Sequence, residues 1–221
     1  MAQQRKAMRE RVLDKARERF GTQGFARVTM DELAGELGMS KKTLYQLFPS
    51  KERLVQTLVR EFMRETAAGV HRLADRRDLP FANKLRDLLH YLAQRLTKMG
   101  PLFLADLQRH TPTLWREVEE FRRDKILVNF GRLVRDGMAQ GVFRKDIDSD
   151  LVILVFLAAV QNVVTPRVLA DLPLTAGAAF EGLVRLLMEG LLTEEGRTKY
   201  ERRSAKCELK KRKRQTADPK Q

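Results

Sequence analysis

Cysteine is nearly absent: the 221 residues contain one, Cys207. A single thiol excludes an internal disulfide framework and any cysteine-rich zinc site. The three histidines, His71, His90 and His110, stand apart without metal-ligand spacing, so neither a metal nor a cofactor is expected. The chain has no P-loop, no Gly-x-Gly-x-x-Gly and no Gly-x-Ser-x-Gly, and its scattered carboxylates read as solvated helix faces. Enzymatic activity is therefore not expected. The longest apolar run, Leu151 to Val160, covers about half a membrane span. The opening MAQQRKAMRERVLD lacks the apolar centre of a signal peptide. A soluble, cytoplasmic protein with no membrane partner is expected. No internal repeat and no convincing strand is visible.

Apolar residues make up 43% of the chain, enough for a real core, which excludes global disorder. The length suits one domain plus a small one. The net charge of +14 sits at the two ends. Residues 1–51 hold 11 basic and 6 acidic side chains, a net +5, and residues 197–221 hold 11 basic and 3 acidic, a net +8. The remaining +1 belongs to an electrostatically ordinary middle. Basic ends favour a polyanionic partner.

The most informative stretch runs from Thr29 to Lys51. Thr29 suits an N-cap, and Glu32 three residues later completes a capping box. Leu33 and Leu37 lie one turn apart, Ala34 is small enough for a close helix crossing, and Gly38 suits a left-handed helix end. Ser40 then caps a second helix, Lys41 to Phe48, which Pro49 stops. Leu33, Leu37, Met39, Leu44, Leu47 and Phe48 supply a small core. Lys41, Lys42, Thr43, Tyr45 and Gln46 are left outside. A short helix with an apolar back and a cationic, hydrogen-bonding front suits the major groove of DNA.

These residues resemble the helix-turn-helix of the tetracycline-repressor (TetR) family. The matching features are Thr29, Leu33-Ala34, Gly38-Met39-Ser40, Leu44-Tyr45, Phe48 and Pro49-Ser50-Lys51-Glu52. Upstream, Arg11 to Phe25 is similar to the family's first helix and its Gly-Phe exit. The chain departs from the pattern at Met39, where Val is usual, and at Leu47, often His or Tyr. The resemblance covers residues 9 to 60. It implies an all-α regulator, with a three-helix DNA-binding domain followed by a larger helical domain that dimerises and senses a ligand. About nine helices are expected in total. Operator phosphates are assigned to Thr29, Ser40, Lys41, Tyr45 and Lys51, and bases to Lys42, Thr43 and Gln46.

Along the chain, residues 1–8 read as a mobile arm whose Arg5 and Lys6 can reach DNA. Helix one is expected from Arg9 to Phe20. Ser50 caps a helix from Lys51 to about Arg72, followed by helices from about Phe81 to Met99, Gly100-Pro101 to His110, and Pro112 to Gln140. The Gly141 to Asp148 turn leads to an almost wholly apolar helix, Ser149 to Thr165, stopped by Pro166, and to a last helix, Thr175 to Leu192. The expected division is a DNA-binding domain at 6–66, with its helix-turn-helix at 29–48, a ligand-binding and dimerisation domain at 67–196, and a disordered basic tail at 197–221 that contains KKRKR.

The family resemblance implies a small-molecule site among the middle helices. Phe103, Trp115, Phe121, Phe130, Gln161 and Asn162 are the candidates, the last two because they interrupt an apolar helix. The expected effector is a hydrophobic or aromatic compound. The excess apolar surface of the last two long helices predicts a homodimer, and hence a near-palindromic double-stranded operator. The expected activity is repression relieved by the effector. The alternative is a helix-turn-helix protein without a small-molecule ligand, acting through a protein partner or as a nucleoid factor.

Overall fold

The computed structural model describes residues 2–76, 78–172, 174–196 and 198. They form eleven α-helices and no strand, apart from one isolated bridge between Phe143 and Leu192. The helices are α1 (Ala2–Gln23), α2 (Met30–Glu36), α3 (Lys41–Leu47), α4 (Lys51–Ala74), α5 (Phe81–Thr97), α6 (Pro101–His110), α7 (Pro112–Lys125), α8 (Gly131–Ala139), α9 (Ser149–Val163), α10 (Pro166–Ala170) and α11 (Ala176–Leu191). A single π-helical turn, Ile126–Phe130, joins α7 to α8. None of the described helices is long and apolar enough to cross a membrane.

Three differences from the sequence expectation have local causes. The arm at 1–8 is helical from Ala2, because its Gln, Arg, Lys and Met residues are good helix formers with no Gly or Pro among them. Helix α9 ends at Val163, before Pro166 as expected, but Pro166 also opens a short helix that was not expected. The proline occupies the first position of α10, where its missing N–H costs nothing, and the Thr165 hydroxyl caps Val168 N–H. The long helix expected after Pro112 is interrupted by the π turn. These changes give eleven helices where about nine were expected. The expected disorder of the tail lies outside the described residues.

Helices α1, α2 and α3 close a small core of Val12, Leu13, Ala16, Phe20, Leu33, Ala34 and Leu44. At its far side α4 begins and runs for 24 residues, about 36 Å at 1.5 Å per residue. The expected domain boundary at 66 therefore falls within a continuous helix. The larger core gathers α4, α5, α7, α9 and α11, and α11 packs most extensively on α5. Gly177 permits that approach: a Cβ there would collide with the Thr97 hydroxyl and the Ala93 carbonyl. Two aromatic pairs brace this core. Phe130 stacks on Phe156 at 3.9 Å, and Phe81 meets Phe143 edge-on at 5.6 Å.

Helix α9 is covered on one face only. Val152, Ile153, Phe156, Leu157 and Val160 are buried, while Leu151, Leu154 and Val155 are exposed. On α11, Leu186 is 71% exposed.

Candidate nucleic-acid interface and apolar cavity

The helix-turn-helix is held by its own capping chemistry. Thr29 Oγ1 accepts from Glu32 N–H at 3.1 Å, while Glu32 Oε2 accepts from Thr29 N–H at 2.7 Å and from Thr29 Oγ1 at 2.9 Å. Those bonds hold the Glu32 carboxyl below its ordinary pKa. Helix α2 ends in a Schellman motif. Gly38 adopts φ +62°, its N–H donates to the Gly35 carbonyl at 3.1 Å, and Met39 N–H donates to the Ala34 carbonyl at 3.0 Å. Ser40 Oγ accepts from Thr43 N–H at 3.1 Å and starts α3.

Buried Leu44 and Phe48 anchor the back of α3, and Arg9 lies over the Phe48 ring at 5.4 Å. The front presents Lys41, Lys42, Tyr45 and Gln46 to solvent. Lys41 Nζ pairs with Asp31 at 2.6 Å, which raises the lysine pKa. Both side chains are exposed, so this bridge is weak and phosphate can replace it. Lys42 makes no ion pair among the described residues. Thr43 is half-buried, and its hydroxyl is 2.8 Å from Ser40 Oγ.

Lys51, assigned to phosphate from the sequence, has partners within the chain. Its Nζ donates to the carbonyls of Ala26 and Val28, each at 3.2 Å, and so ties the loop before α2 to the start of α4. Conversely, the helical arm places Arg5 beside α3, with Nη2 donating to the Gln46 carbonyl at 3.4 Å. Gln4, Arg5, Met8, Thr43, Gln46 and Leu47 line one shallow groove there.

A second feature lies within the larger core. A cavity of about 120 Å³ is enclosed by α4, α5, α7, the π turn, α9 and α11. Phe62, Met63, Leu89, Leu92, Phe130, Phe156 and Phe180 make its wall almost continuously apolar. The wider π turn brings Ile126, Asn129 and Phe130 to it together. Arg60 on α4 and Glu117 on α7 form a bidentate pair at 3.0 and 3.1 Å, holding these two walls together. Arg95 is half-buried over the Phe62 ring at 4.3 Å. It donates to Thr66 Oγ1 at 3.1 Å, to the Phe62 carbonyl at 3.0 Å and to Glu65 at 3.1 Å.

Of the six ligand-site candidates, Phe121 and Phe130 line this cavity, and four do not. Phe103 joins an aromatic cluster outside it, stacked on Phe20 at 6.4 Å and edge-on to Phe25 at 5.8 Å. Trp115 is buried, with Nε1 donating to Glu119 at 2.8 Å. Asn162 is exposed and its side chain donates to the Ala158 carbonyl at 2.8 Å; Gln161 is half-buried. Both miss the cavity because they fall outside the stripe through Val152, Phe156 and Val160 that α9 turns inward. The sequence reading overlooked the three cationic lining residues, Arg95, Arg122 and Lys125. A charged residue inside a charged helical segment carries no local mark of where its tip points.

The DNA-facing helices are joined to this core at α6. Asp106 Oδ2 accepts from Ala26 N–H at 2.7 Å, and the Phe20, Phe25 and Phe103 rings interlock. These contacts tie α6 to the loop that precedes α2.

Comparison with known proteins agrees with this geometry. Residues 12–58 match the family described as bacterial regulatory proteins, tetR family. The chain is 24% identical over 188 residues to the uncharacterised HTH-type transcriptional regulator YvaF of Bacillus subtilis, spanning 85% of this chain and 97% of that protein. It is 25% identical over 162 residues to the HTH-type transcriptional repressor KstR2 of Mycolicibacterium smegmatis, spanning 65% of this chain and 71% of that one. The solved structure of the ketosteroid transcriptional regulator KstR2 of Mycobacterium tuberculosis has the same fold, with a TM-score of 0.60 at 23% identity over 84% of this chain and 95% of that one. The family and these relatives are regulators of transcription, a non-enzymatic class. With the capped helix-turn-helix at 29–48 inside the matched segment, residues 12–58 are a tetR-family DNA-binding segment, on a chain that is similar over most of its length to a bacterial HTH-type transcriptional regulator.

Proposed function

We propose that this regulator is a cytoplasmic homodimeric repressor, released from a near-palindromic operator when a small apolar ligand occupies the cavity. The observation that carries this reading is the position of the cavity against α4. That helix starts three residues after Phe48, at the end of the recognition helix, and its later turns form the cavity wall. An engineered apolar cavity of about 150 Å³ holds benzene. A space of about 120 Å³ therefore takes a single-ring body, and anything larger must push its walls apart. Displacing α4 tilts the recognition helix at its other end. A two-fold dimer must present two such helices about 34 Å apart, or at a multiple of that, so a few ångströms spoil both half-sites.

The dimer is supported by α9 and α11. Leu151, Leu154, Val155 and Ala158 form a second apolar stripe on α9, all exposed in the single chain. On α11, Ala178, Gly182, Leu186 and Gly190 recur every fourth residue, also exposed. A Cβ at Gly182 or Gly190 would meet nothing within the chain, so their smallness serves no internal contact. A second copy covering both stripes gives them a role. Repression is supported by the 25% identity to KstR2, which is named a repressor. In this reading residues 6–66 bind DNA and residues 67–196 dimerise and hold the ligand. Thr29, Ser40, Lys41, Tyr45 and Lys51 serve phosphates, the last by shaping the loop, while Lys42, Thr43 and Gln46 read bases.

The test is selection of bound duplexes from a random pool, with light scattering on the free protein. The reading expects an enriched inverted repeat and a dimer at micromolar concentration. An unenriched pool, or a monomer, contradicts it. A core without a cavity would have favoured the ligand-independent alternative.

A further inference from the structure

The groove beside α3 has a chemistry that capping and packing do not explain. Because α1 is continuous from Ala2, it brings Gln4, Arg5 and Met8 alongside Thr43, Gln46 and Leu47 of α3, and these six residues line the groove. Gln4, Arg5 and Gln46 are exposed, while Met8, Thr43 and Leu47 are half-buried. The exposed members are polar, and the half-buried ones offer apolar groups. Gln46 and Leu47 lie three and four residues after Thr43, so all three border one face of α3.

The Thr43 hydroxyl lies 2.8 Å from Ser40 Oγ, which also accepts from Thr43 N–H at 3.1 Å. What Thr43 adds to the groove beyond that engaged hydroxyl is a methyl group. Leu47 packs in part on the domain core, which accounts for its covered side and leaves its groove side without a partner. Arg5 donates to the Gln46 main-chain carbonyl at 3.4 Å and makes no ion pair among the described residues. No carboxylate lines the groove.

Among the base edges of a major groove the apolar group is the C5 methyl of thymine, and it is read by apolar contacts, a threonine methyl among them. Glutamine is a side chain that pairs bidentately with adenine N6 and N7. Both requirements meet here: the Gln46 amide stands next in sequence to Leu47 and one turn from Thr43. On the α1 side, Arg5 without a counter-charge suits the phosphates that border the same groove.

We propose that this groove reads thymine. The C5 methyl of one thymine seats among Met8, Thr43 and Leu47, Gln46 holds the adenine of an adjoining A·T pair, and Arg5 meets the phosphate of the strand. Thr43 then determines specificity through its methyl and not its hydroxyl. This rests on the reading of α3 as the helix that enters the major groove.

The test starts from duplexes selected by the full chain from a random pool. Each half-site thymine of the enriched sequence is replaced in turn by deoxyuridine, which removes only the methyl, and binding is measured by anisotropy competition. One replacement is expected to weaken binding about fourfold, as the burial of one methyl group warrants. That loss is expected to shrink in Thr43→Ser, which keeps the hydroxyl, and in Leu47→Ala. At the same position 5-methylcytosine is expected to bind more tightly than cytosine. Leu47→Ala also removes a core contact, so if it fails to fold, Thr43→Ser decides. A half-site without adjoining A·T pairs, uracil tolerated at every half-site thymine, or a loss unchanged in Thr43→Ser overturns thymine reading and leaves the operator-binding regulator standing. A pool with no enriched sequence overturns both.

Discussion

Phe130 is the side chain whose loss probes the cavity most sharply. It is 6% exposed, stacks on Phe156 at 3.9 Å and forms part of the cavity wall. Phe130→Ala removes the stack and enlarges a space of about 120 Å³ that is already unfilled. The surrounding helices cannot close over it, because Phe156 is held in turn by Phe180 at 6.1 Å and Arg60 fixes α4 to α7. The loss should therefore lie near the usual range for Phe→Ala, about 3–5 kcal/mol. For a chain of this size that is a fall in Tm of about 6–20 °C, at about 2–4 °C per kcal/mol. The enlarged cavity should now accept naphthalene, and ligand at 100 times its Kd returns about 2.7 kcal/mol. Scanning calorimetry at one fixed protein concentration, with and without naphthalene, measures both effects. A loss below about 1 kcal/mol, or a Tm that naphthalene leaves unchanged in the variant, would refute the reasoning.

Further expectations concern the surface. Gln46→Ala should cost about 1–3 kcal/mol at a single operator base pair, seen as a flattened preference in anisotropy competition, whereas uniform weakening across sequences would show that Gln46 reads no base. Lys51→Ala should weaken all duplexes alike and also lower thermal stability, because it frees the Ala26 and Val28 carbonyls; a weakened but equally stable protein would mean a direct phosphate contact. Removing residues 199–221 should reduce the salt slope of DNA binding and leave the preferred sequence alone, and an altered motif would show that the tail reads bases. Arg144 holds the Asp146 carboxyl down to about 2, below its ordinary 3.8. A depressed carboxylate contributes stability above its unfolded pKa and loses it as pH falls through the folded one, here between 3.8 and about 2. Asp146→Asn should flatten stability against pH in that window, and an unchanged slope would remove the pair from acid unfolding.

What the sequence revealed follows the range of the interactions involved. The capping box of Thr29 and Glu32, the Gly38 turn and the Ser40 cap join residues three to five apart, so their spacing could be read directly. The inward stripe of α9 was visible as apolarity, but a helix apolar on two faces hides which face is buried and which is left exposed. That ambiguity displaced Gln161 and Asn162 from the site. Lys51 satisfies carbonyls 25 and 23 residues away, and Arg122 reaches one 42 residues away. No local pattern encodes such partners. The π turn is similarly hidden, since ILVNF has no feature that separates it from an ordinary helical turn.

The central claim is that the cavity and the operator compete through one conformational equilibrium. Its most direct measurement is calorimetric titration of a thermally stabilising cavity ligand into the protein alone and into its operator complex. Coupling of about 1–3 kcal/mol predicts ligand affinity lower by about 5- to 150-fold in the complex, with operator affinity reduced by the same factor when ligand is present. Equal ligand affinities in the two titrations would contradict it.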